Sequence, residues 1–448
     1  MKKLRLKSLF ASGDKDFVEV IQHSFWAIVL LAGGTIIQFV FDFSLTHTFD
    51  AHGAGIFYLC FSVLSALALI GRLGVDRAVV RFIPPLLSKK PGEAAGVHRT
   101  ATQLSLAFTV PLTILMFMSA PFVAKRIFHS SELTPYLQIF AFAIPPLALN
   151  YVFSGVLRAL KRIRSALSIE RLTMYAIGIV AVLTLGQIYG LKAASIGFVV
   201  AIFISTIEGE WYIRKHMPPY EKAVPFNKKR LIVVSAPLLF VVFAAQMSGQ
   251  ASVLLLGAMS SNANVGIFNI ALRVSMILNL VLIAVNAIAA TKISELYAAS
   301  KHEALRSLIG KISALSTLAG VPLFLILAFF SHFWLGLFGG AFAAGGTTLI
   351  ILTAGQLVNV STGSNNFILA MTGHERALAT AVGISMVLNV GLGLALIPSL
   401  DVLGAGLATA IAMVVSNVIM LIMVKHYIGV WSLPFSPLMT WFRKAKKP

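Results

Sequence analysis

Apolar stretches of about twenty residues recur along the chain, each bounded by a short polar segment. About twenty consecutive apolar residues are what an α-helix needs to cross the hydrocarbon core of a bilayer. The pattern predicts twelve crossing helices. Six fall near 24–45, 54–75, 101–124, 135–158, 171–189 and 192–213, and six near 231–257, 264–290, 307–330, 345–371, 377–398 and 402–425. The fifth and sixth are divided only by a short segment at Gly190. Pro111, Pro237 and Pro322 lie inside predicted helices and predict kinks there.

The runs also repeat. Gly55-Ile56-Phe57 recurs as Gly266-Ile267-Phe268, Val110-Pro111-Leu112 as Val321-Pro322-Leu323, and Ala193-Ala194 as Gly404-Ala405, all at one offset of 211 residues. Six helices fit in that offset, an even number, so both copies enter the membrane with the same orientation. Repeats of this kind are related by an axis along the membrane normal, with a site where they meet. His216 to Arg230 carries Pro218, Pro219, Pro225 and Lys228-Lys229-Arg230 and reads as a cytoplasmic linker. The expected organisation is two six-helix bundles, 1–222 and 223–448.

Composition agrees with lipid as the solvent. Of 448 residues 58% are hydrophobic and 12% charged, with a mean hydropathy of +0.88; soluble domains carry about 25% charged residues. The fold class expected is all-α and polytopic. A net charge of +20 raises nucleic acid as a partner, but the distribution argues against it. Of 36 Lys and Arg, 32 fall in alternate connecting segments: Lys2–Lys15, Arg72–Arg99, Arg158–Arg171, Arg214–Arg230, Lys292–Lys311, Arg376 and Lys425–Lys447. Lys125, Arg126 and Lys192 fall on the other side, and Arg273 lies inside a helix. Basic loops stay cytoplasmic, which puts both ends inside and makes membrane lipid, not nucleic acid, the partner. Cys60 is the one cysteine, too few for a disulfide framework or a multi-cysteine zinc site. The first apolar stretch begins near Ser24 and runs to Asp42 without a small-residue cleavage site, so it reads as a retained crossing helix.

Two segments are similar to a known group. Gly71-Arg72-Leu73-Gly74-Val75-Asp76-Arg77-Ala78-Val79-Val80-Arg81-Phe82-Ile83-Pro84 and Val265-Gly266-Ile267-Phe268-Asn269-Ile270-Ala271, with two six-helix bundles and a basic central linker, resemble the multidrug/oligosaccharidyl-lipid/polysaccharide exporter superfamily. The text is closer to its polysaccharide-biosynthesis branch, the O-antigen-type flippases. The resemblance implies a bacterial cytoplasmic-membrane protein that moves an anionic lipid-linked saccharide between leaflets, with polysaccharide polymerases and glycosyltransferases as partners.

Enzyme chemistry finds no support. There is no phosphate-binding loop ending in Gly-Lys-Ser/Thr. His302-Glu303 and His374-Glu375 lack the second histidine of a zinc helix and read as solvated loop residues. No large outer loop could house an acidic active site. The chain is therefore read as a transporter without cofactor or metal.

The informative residues are polar groups at membrane depth. Arg273 sits among Ile270, Ala271, Leu272, Val274 and Met276, about two turns into the eighth helix. An arginine there costs about 2.5–3.5 kcal/mol unless it finds water or a partner. It suits a phosphate through its fork of donors, or else forms a structural ion pair or snorkels. Asp42, near the outer end of the first helix, resembles the cation-linked aspartate of the multidrug branch. It reads as a proton or sodium site, as the partner of Arg273, or as a wetted interfacial residue. Arg72 with Asp76, and Arg77 with Arg81, share helix faces if the second helix continues inward. Arg77 and Arg81 then form a basic lip for a lipid pyrophosphate, or merely inner-loop charge; Arg158, Lys161, Arg162 and Arg164 read chiefly as the latter. Gln38 and Gln250, with Ser248 and Ser252, either line a wet cavity for sugar hydroxyls or bond across packed helices. The candidate substrate set is Arg273, Arg77, Arg81, Gln38, Gln250 and Asn269, with Asp42 for ion coupling. Two other functions remain open at this point: a drug/cation antiporter, which favours acidic cavity residues, and a non-transporting scaffold, which needs no polar cleft.

Overall fold

The computed structural model describes residues 15–299 and 301–433, with side chains from Ala32 onward. The basic clusters Lys2–Lys7 and Arg443–Lys447, and the side chains of Pro237, Ser248 and His302, lie outside the described residues. No strand occurs among those described. The first half runs α1 Lys15–Gly71, α2 Val75–Phe82, α3 Pro84–Leu87, α4 Pro91–Phe122, α5 Leu133–Ala141, α6 Ile144–Ala159, α7 Ile163–Leu167, α8 Thr173–Ala181 and α9 Gln187–His216. The second runs α10 Lys228–Met259, α11 Asn262–Ser275, α12 Asn279–Ala298, α13 His302–Phe329, α14 Ser331–Gly336, α15 Gly346–Ser361, α16 Asn365–Met371 and α17 Glu375–Ile428.

Two of these helices, α1 and α17, are two crossings each, and a third tight turn joins the crossing that holds α7 and α8 to α9. The backbone doubles back at Asp50 (φ 57°) in α1, at Gly190 (φ 78°) in α9 and at Asp401 (φ 47°) in α17. A left-handed residue lets the chain reverse without a loop. Pro145 and Pro146 follow the 45° bend between α5 and α6, which together make one crossing. Counted with these turns and with α10, the crossings match the twelve expected from the apolar pattern.

The offset of 211 reappears in the geometry. Gly190 and Asp401 stand 211 positions apart, and both are left-handed turn residues. The Asp50 carboxylate accepts from the Gly53 N–H at 2.9 Å, and the Ser261 hydroxyl accepts from the Asn264 N–H at 3.2 Å, again 211 apart. Each caps the N-terminus of the next helix, satisfying an amide that has no partner within it. Pro111 lies inside α4 and Pro322 inside α13.

The halves meet at two levels. At the end that holds the Asp50 turn, Gly55 and Gly266 pack backbone to backbone. A Cβ on Gly55 would lie 3.1 Å from the Gly266 nitrogen and would run into the Asn262 carbonyl; one on Gly266 would lie 3.2 Å from the Gly55 nitrogen and would run into the Ala51 carbonyl. Toward the opposite end, Gly74 (φ 70°) fits against α10, where a Cβ would meet the Ser235 oxygen at 2.6 Å and the Leu239 nitrogen at 2.8 Å. Valine at position 74 combines left-handed strain with this clash and should cost roughly 2–4 kcal/mol. Thermal unfolding in detergent would measure it, and an unchanged midpoint would show that this contact is dispensable.

One expectation needs correcting. The second crossing does not continue inward as an uninterrupted helix: Leu73 (φ 54°) and Gly74 break it, and α2 starts afresh at Val75. Arg72 and Asp76 still meet, but across a turn.

A charged seam between the halves

Asp42 lies on α1 eight residues below the Asp50 turn, about 12 Å deep at 1.5 Å per residue. It is only 1% exposed, so the interfacial, wetted reading does not hold. The reason is packing: Phe41 and Leu45 beside it are buried in the aromatic core with Phe57, Tyr175 and Phe198. Asp42 is satisfied from both halves. The Tyr58 hydroxyl donates to it at 3.0 Å, and a terminal guanidinium nitrogen of Arg273 lies 3.1 Å from its second oxygen. Nε of Arg273 donates to Asn269 at 2.9 Å, one turn back on α11, and the guanidinium stands 5.1 Å above the Tyr58 ring. Of the open readings for Arg273, the ion pair is the one present in this conformation. Its side chain is 15% exposed, and the pair joins α1 of the first half to α11 of the second.

A second cluster sits lower. Arg72 ends α1 nearly buried, with Asp76 at 3.5 Å, a hydrogen bond of 3.1 Å to Gln246 on α10, and the Tyr151 ring 4.4 Å below its guanidinium. It too bridges the halves. Positive-inside counting puts Arg72 in a cytoplasmic loop; the structure puts it at the seam, and its pairing with Asp76 was the only sequence sign. Arg77 and Arg81 point elsewhere: Arg77 is 59% exposed, Arg81 is exposed, and both lie on the outer side of α2.

Arg171 stands at the start of the fifth predicted helix and was counted with the basic segment before it. It lies in a π-helical turn, Ser168–Leu172, with its aliphatic stem against α1: a Cβ on Gly34 would sit 3.0 Å from its Cδ and 3.1 Å from its Cβ. Tyr151 and Tyr175 are within its electrostatic reach. The neighbouring Glu170 is taken by Arg158 at 2.7 Å. Gly34, Gln38 and Asp42 follow at four-residue spacing on one face of α1, so half-buried Gln38 stands between Arg171 and Asp42.

The amides divide. Half-buried Gln250 is on α10, while Ser252 faces into the second half and bonds Asn389 at 3.1 Å and Thr409 at 2.7 Å, a contact across packed helices. A carboxamide group that sequence reasoning missed lies on α12 and α15. Asn359 donates to Asn279 at 3.1 Å and Gln356 at 3.4 Å, and Ser364 donates to Asn286. Its signal was present as four amides in apolar stretches, where each needs a partner.

The two halves of this helical membrane protein are thus stitched by the Asp42–Arg273 ion pair and by the Arg72–Gln246 hydrogen bond. The chain belongs to the polysaccharide biosynthesis protein family, whose model matches residues 20–291. A MatE family model matches residues 237–395. An uncharacterized membrane protein of Methanocaldococcus jannaschii is 23% identical over 380 residues, covering 79% of this chain and 74% of that protein. Among solved structures, the inward-facing conformation of a multidrug resistance MATE family transporter of the MOP superfamily is similar with a TM-score of 0.73 at 15% identity, covering 90% of this chain and 98% of that one. The lipid II flippase MurJ, inward closed, is similar with a TM-score of 0.69 at 15% identity, covering 96% and 93%. These likenesses establish the fold of the multidrug/oligosaccharidyl-lipid/polysaccharide superfamily. The protein is a polytopic all-α membrane protein with that fold.

Proposed function

We propose that this protein carries an anionic lipid-linked saccharide from the inner to the outer leaflet of a bacterial cytoplasmic membrane, its two halves rocking about the seam. The observation that carries the reading is the charge balance there. Among the described residues Asp42 is neutralised by Arg273 and Asp76 by Arg72, and Arg171, on the α1 face that carries Asp42, has no carboxylate within ion-pair distance, which leaves that face an arginine in excess of its ion pairs. A cationic drug would need the reverse. A saccharide headgroup cannot enter hydrocarbon, whereas its lipid tail need never leave it, and a cationic seam open sideways to lipid serves both parts. The carboxamides on α12 and α15 both donate and accept, which suits sugar hydroxyls.

An inside-negative potential drives an anionic headgroup outward, by about 2.3 kcal/mol per charge for 100 mV, so no nucleotide is required. Coupling to protons or sodium through Asp42 requires its pair with Arg273 to open first. The test is leaflet transfer in proteoliposomes, with a fluorescent short-chain prenyl-diphosphate-linked N-acetylglucosamine in one arm and ethidium under a proton gradient in the other. Transfer of the first, accelerated by an inside-negative potential, is expected. Proton-driven ethidium export would reassign the protein as a drug/cation antiporter, and transport of neither would favour a scaffold.

A further inference from the structure

An arginine at membrane depth normally brings its own counter-charge. Arg72, Arg158 and Arg273 each have a carboxylate within 3.5 Å. Arg171 has no carboxylate within ion-pair distance and no hydrogen-bond partner among the described residues; the neighbouring Glu170 is engaged by Arg158, and Glu208 on α9 accepts from Ser168 of the same π-turn. A half-buried guanidinium without an anion is costly in a low-dielectric setting, and a fold that tolerates one keeps it for an anion that arrives from outside. Two local features point the same way. The π-helical turn inserts an extra residue at Ser168–Leu172, which re-aims the side chain and is a frequent mark of functional sites. On the facing helix, glycine at position 34 leaves room for the stem of Arg171, which any side chain there would push aside.

Depth decides what that anion is. Gly34 lies sixteen residues below the Asp50 turn, about 24 Å, and Arg171 nineteen below Gly190, about 28 Å. In a hydrocarbon core about 30 Å thick, both sit just inside the inner boundary, where the phosphate of an inner-leaflet lipid arrives. Above it, Gln38 and the Asp42–Arg273 pair continue along the same face of α1 toward the outer leaflet. We propose that Arg171 is the residue that takes the diphosphate of the transported lipid at the inner leaflet, and that Arg273, held by Asp42, is not the first contact. This rests on the anionic-cargo reading above and assigns the loading contact within it.

The experiment is binding of farnesyl diphosphate to the purified full-length protein in detergent, with inorganic pyrophosphate as a second ligand. Wild type should bind farnesyl diphosphate, and Arg171→Gln should weaken it by roughly tenfold or more, the loss of one charge-assisted contact. Arg171→Lys keeps the charge but not the fork and should fall between. Gly34→Ala retains the arginine but displaces its stem, so it should weaken binding several-fold while leaving the thermal midpoint near wild type. Arg214→Gln removes a charge from the exposed inner face and should change nothing. Pyrophosphate competing alone would show that the headgroup suffices; competition only by the prenylated form would show that tail and headgroup are read together. Equal binding by wild type and a folded Arg171→Gln overturns the assignment of Arg171 and leaves the function standing. Failure of wild type to bind either ligand overturns both.

Discussion

Arg273→Ala should destabilise the protein by about 3–5 kcal/mol, the usual cost of stranding one member of a buried ion pair. Asp42 would lose the one cationic neighbour it has among the described residues, because Tyr58 supplies a hydrogen bond but no charge. Asp42→Asn should cost a similar amount for the opposite reason, leaving the guanidinium between Tyr58 and Asn269 with no anion. The double variant Asp42→Asn with Arg273→Gln removes both charges. It should therefore recover much of the loss, giving a coupling energy of about 1–3 kcal/mol in a double-mutant cycle. Urea or thermal unfolding in detergent reads all three. Additive single and double effects would mean that the pair contributes nothing as a pair. In transport the expectation differs: the double variant folds but lacks the link between halves, so its leaflet transfer should lose its dependence on the seam.

Gly55→Leu should abolish transport while leaving each half folded. Gly55 and Gly266 give α1 and α11 a side-chain-free surface where they come together beside the Asp50 turn, and even a Cβ there meets backbone of the facing helix. A leucine there wedges that face apart, and a transporter that cannot close one face cannot alternate. Leaflet transfer should drop by about tenfold or more, as for an equilibrium displaced by over 1.4 kcal/mol. A membrane-impermeant maleimide reports the geometry directly. Asn262→Cys, buried at this contact in the wild-type sequence, should label slowly in that background and rapidly with Gly55→Leu. Equal labelling and full transport would show that this contact is not a gate. Gly266→Leu should behave in the same way, because the two glycines occupy equivalent places in the repeat.

The repeat itself was legible because it is written in residues with few substitutes. Glycine at a helix crossing, proline inside a helix and a left-handed residue at a turn are each dictated by local backbone geometry, so Gly55 and Gly266, Pro111 and Pro322, and Gly190 and Asp401 keep one spacing. The site was legible only in part. Asp42, Arg273 and Asn269 stood out because charge and amide groups are conspicuous in apolar runs, and their convergence could be suggested but not fixed. Arg72 and Arg171 stood at the edges of predicted helices and were counted with the basic segments beside them, for a physical reason. Counting basic residues toward the inner side treats the end of a helix as loop, whereas a crossing helix longer than the hydrocarbon is thick carries its last turns, and their arginines, back against its neighbours. The carboxamides of α12 and α15 were missed because no single one of Asn279, Gln356 and Asn359 is unusual; only their meeting is.

From the sequence alone came the solvent, the number of crossings, the duplication and the short roll of polar groups obliged to find partners in lipid. Those follow from transfer free energies and helix periodicity, which act residue by residue. Which arginine is neutralised and which is left over was decided by tertiary structure, because the energy of a charge in a membrane depends on what lies within a few ångströms of it, and those neighbours come from helices far apart along the chain.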